Sequence, residues 1–259
     1  MSQQITIIGS GNVASWFAFR MKKAGYSILQ VYSHNLKNAE LLAATCGAVA
    51  IDNLDKLKYD SDLFLFSVKD DYYEKLLGRL KQELPLAVHT AGSISKDIFL
   101  GHAKRFGVLY PYQTISKNAD FDKITVPVCI ESDTPETLDI LEKYAGKISS
   151  ITYPIDEQQR FQLHLAAVFA SNFTNALYGI GYDILAKHHI DWNIILPLLQ
   201  NTLDKTETIS PGESQTGPAF RNDTKTIQKQ LDAIENEDLK KIYGILTDWI
   251  RKSNPNNSK

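Results

Sequence analysis

The chain has 259 residues, 43% of them hydrophobic and 22% charged, with a net charge of −2. That is enough apolar material for one large domain or two ordinary ones, and it excludes a disordered chain. With no long basic run and no stretch approaching the ~18 apolar residues of a membrane span, neither nucleic acid nor a membrane is expected as a partner.

Ile5–Ile8 reads as a buried strand running straight into Gly9-Ser10-Gly11-Asn12-Val13-Ala14, after which Val13, Trp16, Phe17, Met21 and Ala24 follow at helical spacing. A second strand, Ile28–Tyr32, ends in Ser33-His34-Asn35. Strand, glycine turn, helix and strand in this order make a nucleotide-binding βαβ unit. Gly9 lets the chain turn tightly, Gly11 lets backbone amides approach a pyrophosphate, and the helix N-terminus offers free N–H groups to the anion. The expected pyrophosphate site is therefore Gly9, Ser10, Gly11, Asn12 and Val13. An NAD site usually ends the second strand in Asp or Glu, which would repel a 2′-phosphate. Here Ser33, His34, Asn35 and Lys37 can all donate to one, so NADP is expected rather than NAD. A solvated polar loop is the plain alternative for these residues.

Further strands are expected at Asp62–Val68, Leu86–His89, Arg105–Tyr110 and Thr125–Ile130, with a last short one around Ser150–Tyr153. Helical stretches fall at Ala39–Cys46, Tyr72–Leu80 and Pro135–Tyr144. Short strands alternating with helices imply an α/β domain, a Rossmann-type mainly parallel sheet covered on both faces. From Asp156 the pattern becomes helical throughout: one long helix from Glu157 to about His188, a second from Asp191 through Leu203, a Ser/Pro/Gly-rich loop at Ile209–Ala219, and helices near Thr224–Ile234 and Asp238–Arg251. The expected organisation is a nucleotide-binding domain over 1–154, an all-helical substrate or dimerisation domain over 155–252, and a frayed tail over 253–259. Cys46 and Cys129 lack metal-type spacing and no charged-then-apolar leader opens the sequence, so no metal is expected and a reducing cytoplasm fits.

Several strand ends carry chemistry. Ser67-Val68-Lys69 lies where a nicotinamide ribose would pass, and Lys69 could touch a phosphate, orient a substrate carboxylate or be solvated. His89 and Thr90 end the next strand, with a satisfied structural histidine as the competing reading for His89. Pro111 stiffens Tyr110-Pro111-Tyr112-Gln113-Thr114, so Tyr112 or Gln113 could meet a substrate or simply cover the sheet edge. The long helix reads as buried from His164 to Asn175. At 100° per residue Ser171 and Asn175 fall about 20° to either side of His164, with Asn172 roughly 80° away. Such a stripe must bond to other helices, a dimer partner or a ligand. Arg221 could pair with Asp223 or with an anionic ligand.

Taken together, Ile8 to Ala14, Ser67 to Asp71, His89 to Ser93, Tyr110 to Thr114, His164 to Asn172 and Gln215 to Asp223 resemble the Rossmann-like proteins with a helical C-terminal domain of unknown function, assigned as NADP oxidoreductases. More distantly the layout is similar to pyrroline-5-carboxylate reductase, deazaflavin-dependent NADP reductase and 6-phosphogluconate dehydrogenase. The resemblance implies an oxidoreductase of a small metabolite and a homodimer formed through the helical domain, which completes the active site. One departure stands out. If Asn172 matches the helix Asn of the β-hydroxyacid dehydrogenases, their proton-transferring Lys is Val168 here. That leaves His164, Tyr112, Arg221, Lys69 and Asn172 as candidates for the catalytic groups. A non-catalytic NADP(H) sensor or scaffold is the alternative function.

Overall fold

Ile5, Ile7 and Ile8 have no exposed surface, which places β1 (Gln4–Ile8) in the middle of a sheet rather than at its edge. The computed structural model describes residues 3–116 and 118–254. After the glycine turn, α1 (Asn12–Lys23) buries Ala14, Trp16, Phe17, Ala18 and Met21 against the sheet. It is followed by β2 (Ser27–Tyr32), α2 (Leu36–Cys46), β3 (Val49–Ile51), β4 (Leu63–Phe66), α3 (Tyr73–Leu77), β5 (Ala87–His89), β6 (Phe106–Pro111), β7 (Val128–Ser132), α4 (Pro135–Ile148) and β8 (Thr152–Pro154). The strand order is β3-β2-β1-β4-β5-β6-β7-β8. All pairings are parallel except β6 with β7. The chain reverses between β1 and β4, the switch point at which doubly wound sheets hold ligands.

The antiparallel pair has a local cause. Residues 112–116 and 118–127 do not cross the sheet as a helix but fold back over α1, where Phe19 meets Phe121 edge-on at 5.7 Å and Asn12 holds the Ile115 carbonyl at 2.9 Å. The Rossmann-like sheet expected from the sequence is therefore present, with one strand, β3, that its three residues were too few to announce.

The chain divides into two compact units, one ending at Thr174 and one beginning at Asn175. The first includes α5 (Glu157–Ala167), which starts near the expected change of pattern. Asp156 caps it, accepting from the Gln159 N–H while the Gln159 side chain accepts from the Asp156 N–H. A π-helical segment, Val168–Phe173, follows without an intervening loop and leads into α6 (Thr174–Lys187). The second unit contains α6, α7 (Leu196–Lys205), α8 (Thr224–Ala233) and α9 (Glu237–Ser253). Asn236 caps α9 through the Asp238 and Leu239 N–H groups, one turn position earlier than the sequence pattern suggests. Of the tail expected to fray, Ser253 closes α9 and Asn254 is buried with its side chain on the Phe220 carbonyl, and the remainder lies outside the described residues.

Two local expectations are corrected. The helix around His164 is not buried: Leu165, Phe169 and Phe173 are all exposed. An apolar face predicts that something covers it but not that the same chain does. The polar stripe is also displaced, because the i to i+5 spacing of the π segment turns the helix less per residue than an α-helix does. Among the described residues no helix is long and apolar enough to cross a membrane.

Candidate active site

The site is assembled along the carboxyl ends of β1, β2, β4, β5 and β6, which point the same way. Gly9 leaves β1 with φ +129°, and a Cβ there would lie 2.0 Å from the Ser67 carbonyl oxygen. Only glycine permits this approach of two backbones. Gly11 caps α1 with no side-chain hydrogen bond and no atom within 4 Å of where its Cβ would be. The first-turn N–H groups of α1 are thus open to an anion, as a dinucleotide site requires. Val13 packs half-buried against the core, whereas the Asn12 side chain is spent on Ile115 and anchors the 112–127 segment beside the turn.

At the end of β2 the Ser33 hydroxyl accepts from Ser10 Oγ at 2.9 Å and from the Asn35 N–H at 3.4 Å, which leaves its own proton to donate. Asn35 also caps α2 by accepting from the Asn38 N–H. Lys37 is exposed on the first turn of α2. The exposed His34 ring lies nearly parallel to that of Tyr72, 6.0 Å away and inclined by 17°, across the gap between the β2 and β4 ends. Asp52, the carboxylate that follows β3, pairs with Lys56 at 3.5 Å.

Beyond β4, Ser67 and Val68 are half-buried and Lys69 is exposed. Asp70 accepts from Ser93 Oγ at 2.6 Å, which ties the β4 loop to the β5 loop. Thr90 is buried, its N–H on the Phe66 carbonyl. The His89 side chain does not reach the crevice. It is fully buried between Tyr73 and Phe99, with Nδ1 accepting from the Ala91 N–H at 3.2 Å. Burial first, and the Arg160 charge second, push its pKa down to about 3, so it is a neutral structural histidine at physiological pH.

α5 supplies the rest. Arg160, fully buried, donates from Nε to Glu131 at 3.1 Å and from Nη1 to the Ala91 and Gly92 carbonyls at 3.1 and 2.9 Å. Lys96 meets the other Glu131 oxygen at 3.3 Å. One helical turn further on, His164 Nδ1 lies 3.0 Å from the Tyr110 hydroxyl. Burial pushes the Tyr110 pKa up to about 12, so the phenol keeps its proton. Tyr112 stands edge-on to Tyr110 at 6.1 Å. In the π segment Ser171 reaches Thr114 at 3.5 Å, while Asn172 is exposed.

Residues 4–88 match the family model described as NADP oxidoreductase, coenzyme F420-dependent, and residues 126–250 match the domain of unknown function DUF2520. The protein BF3122 from Bacteroides fragilis, whose name carries an inferred NADP oxidoreductase activity, is 34% identical over 97% of this chain and 98% of its own, with a TM-score of 0.90. The chain belongs to this family of NADP oxidoreductase-like proteins. The DUF2520 match begins inside the sheet, just ahead of β7, so it takes in Glu131 as well as Arg160 and His164. Protein TM1727 from Thermotoga maritima (22% identity, 98% and 100% coverage, TM-score 0.72) shares the fold. So does a reductive aminase from Aspergillus terreus in complex with NADPH and ethyl levulinate (16% identity, 97% and 95% coverage, TM-score 0.72). No curated protein matches the sequence.

The first unit therefore brings together the glycine turn, Ser33 to Lys37, Ser67 to Lys69, Thr90, Tyr112 and His164 along one sheet edge and the helix that follows it, with Asn172 exposed farther along that helix. Arg221 belongs to the second unit, where it is exposed. Of the two alternatives open for Arg221, a pair with Asp223 or an anionic ligand, the first is not formed as a salt bridge: Asp223 caps a helix instead, accepting from the Thr226 N–H and hydroxyl, at 3.1 and 2.7 Å. Those bonds, with Arg221 a smaller cause, hold the Asp223 carboxyl below the usual range. Sequence reasoning missed Tyr110, Gly92 and Arg160. Tyr110 carried one usable signal, since strand alternation puts it on the same face as Tyr112.

Proposed function

We propose that the protein is an NADP(H)-dependent oxidoreductase acting on a small carbonyl or imine metabolite. The observation that carries this reading is the Tyr110–His164 pair standing on the same carboxyl edge of the sheet as the open glycine turn. The pyrophosphate falls to the backbone of Gly9, Ser10, Gly11, Asn12 and Val13. The 2′-phosphate falls to the Ser33 hydroxyl, His34, Asn35 and Lys37, a set without a carboxylate. The adenine lies against the His34 and Tyr72 rings. Ser67, Val68, Lys69 and Thr90 border the nicotinamide side. When bound, NADPH supplies the hydride, and the protein's work is alignment and stabilisation of the charge that develops on the substrate. His164 is the group for that charge, with Tyr112 near it and Asn172 farther along the same helix as substrate contacts. No Lys occupies position 168, so the alcohol-dehydrogenation chemistry that depends on one is not part of the proposal.

A homodimer formed through the helical unit completes the reading. Its helices expose Tyr182, Leu198, Leu203, Ile245 and Trp249, the last at 70% of its surface, more apolar area than a solvated helical unit keeps. The test of function is calorimetry with NADPH followed by NADPH oxidation against a panel of small ketones, aldehydes and cyclic imines. Heat together with turnover on a panel member supports the oxidoreductase. Tight binding with no turnover on any member moves the protein to the sensor class, and no heat rejects both.

A further inference from the structure

The Tyr110–His164 bond joins residues 54 apart in sequence, and everything around it limits the ring to one placement. Beneath the imidazole lies Gly92, where a Cβ would come within 2.7 Å of Nδ1 and 2.8 Å of Cγ. The Gly92 carbonyl is held by Arg160, one turn before His164 on α5, and Arg160 is itself locked to Glu131. Loop and helix are thus fastened to each other on either side of the ring. The pair is faced from just beyond β6 by Tyr112, from β7 by Cys129 and from α5 by Arg160, with Glu131 and His89 beyond Arg160.

Tyr110 is buried, and among the described residues its hydroxyl makes no other hydrogen bond. If it accepted a hydrogen bond from Nδ1–H, its own O–H would be left without an acceptor among the described residues. Donation to Nδ1 satisfies it. We infer that Tyr110 is a positioning residue whose hydroxyl donates to His164 Nδ1 and so fixes the neutral imidazole as the Nε2–H tautomer. His164 then offers an N–H, not a lone pair, to a ligand, as suits an atom gaining negative charge during hydride arrival. The phenol stays protonated through the physiological range, so the donor is present there. The catalytic value of this arrangement rests on the proposed oxidoreductase reading, but the tautomer itself does not.

Long-range 1H–15N correlation spectra of 15N-labelled protein at pH 8.5, without coenzyme or substrate, test it directly, with the His164 signals assigned by their loss in His164→Gln. The expected wild-type pattern is that of Nε2–H, and Tyr110→Phe converts it to a mixture of both tautomers. A hydrogen on Nδ1 in the wild type overturns the inference, and so does an unchanged tautomer in Tyr110→Phe. Should Tyr110→Phe fail to fold, the wild-type pattern alone decides. Failure of NADPH turnover would reject the oxidoreductase reading and leave this result standing.

Discussion

Gly92 leaves the volume that the His164 imidazole fills: a methyl group at residue 92 would sit 2.7 Å from Nδ1 and 3.2 Å from the His164 Cβ. The contact is with the root of the side chain as well as its ring, so a rotamer change alone does not relieve it. Gly92→Ala is expected to destabilise the fold by about 1–3 kcal/mol, the usual cost of overpacking a filled site. Urea denaturation measures this, and a midpoint equal to wild type would show that the helix yields freely.

Arg160 fastens α5 to the β5 loop and to β7 at once. Arg160→Ala strands two loop carbonyls in a buried place and leaves the Glu131 carboxylate paired through one oxygen with Lys96. Removing one partner of a buried ion pair costs about 3–5 kcal/mol. Loss of cooperative unfolding, or a stability drop of that size, is the expected outcome. A drop below ~1 kcal/mol would mean that water replaces the guanidinium without penalty.

His89 gives the fold a pH dependence of known sign. Its folded pKa, about 3, lies below its unfolded value, so between pH 6.5 and 3 the unfolded chain takes up a proton that the folded chain refuses. Stability is therefore full above pH 6.5 and falls as the solution is acidified, by at most about 1.4 kcal/mol per pH unit from this group. His89→Phe keeps an aromatic ring between Tyr73 and Phe99 and removes the titration. Its stability should change less between pH 7 and pH 5 than that of the wild type. Parallel curves for the two proteins would refute the assignment.

How much of this was readable in the sequence depends on how local each feature is. The glycine turn, its flanking strands and the polar end of β2 are contiguous, and their order alone specifies a Rossmann-type unit. β3, three residues on a sheet edge, carries no period and was missed, although β8, equally short on the opposite edge, was expected. The π segment leaves no compositional mark, so angles counted at 100° per residue lose their register after Val168. Tyr110 and His164, Arg160 and Glu131, and Gly92 beneath them are joined only by the closing of the sheet onto α5. No spacing rule links residues so far apart. The apolar face of the long helix was recognisable as a face that prefers cover, but the pattern could not say where the cover comes from.

The cofactor assignment rests on a pocket without a carboxylate. In Ser33→Asp the new carboxylate can still accept from Ser10 and the Asn35 N–H, so the loop should hold while the 2′-phosphate is repelled. NADP affinity is expected to fall at least about tenfold, the effect of one lost charge-assisted bond, with NAD affinity unchanged or raised. Lys37→Ala should weaken NADP alone, and more so at low salt because Lys37 is exposed. Calorimetry that finds equal wild-type affinities for NADP and NAD would reject the assignment.

Leu198 on α7 and Trp249 on α9 expose 60% and 70% of their surfaces. Water is a poor neighbour for indole and isobutyl groups, each costing about 1.5–3 kcal/mol relative to burial. A second copy of the chain can cover such residues, since a two-fold interface is self-complementary. Analytical ultracentrifugation of the wild type should therefore give a dimer, and Leu198→Glu with Trp249→Glu should give a folded monomer. A wild type that sediments as a monomer at all accessible concentrations would remove the dimer from the proposed function while leaving the first unit's site untouched.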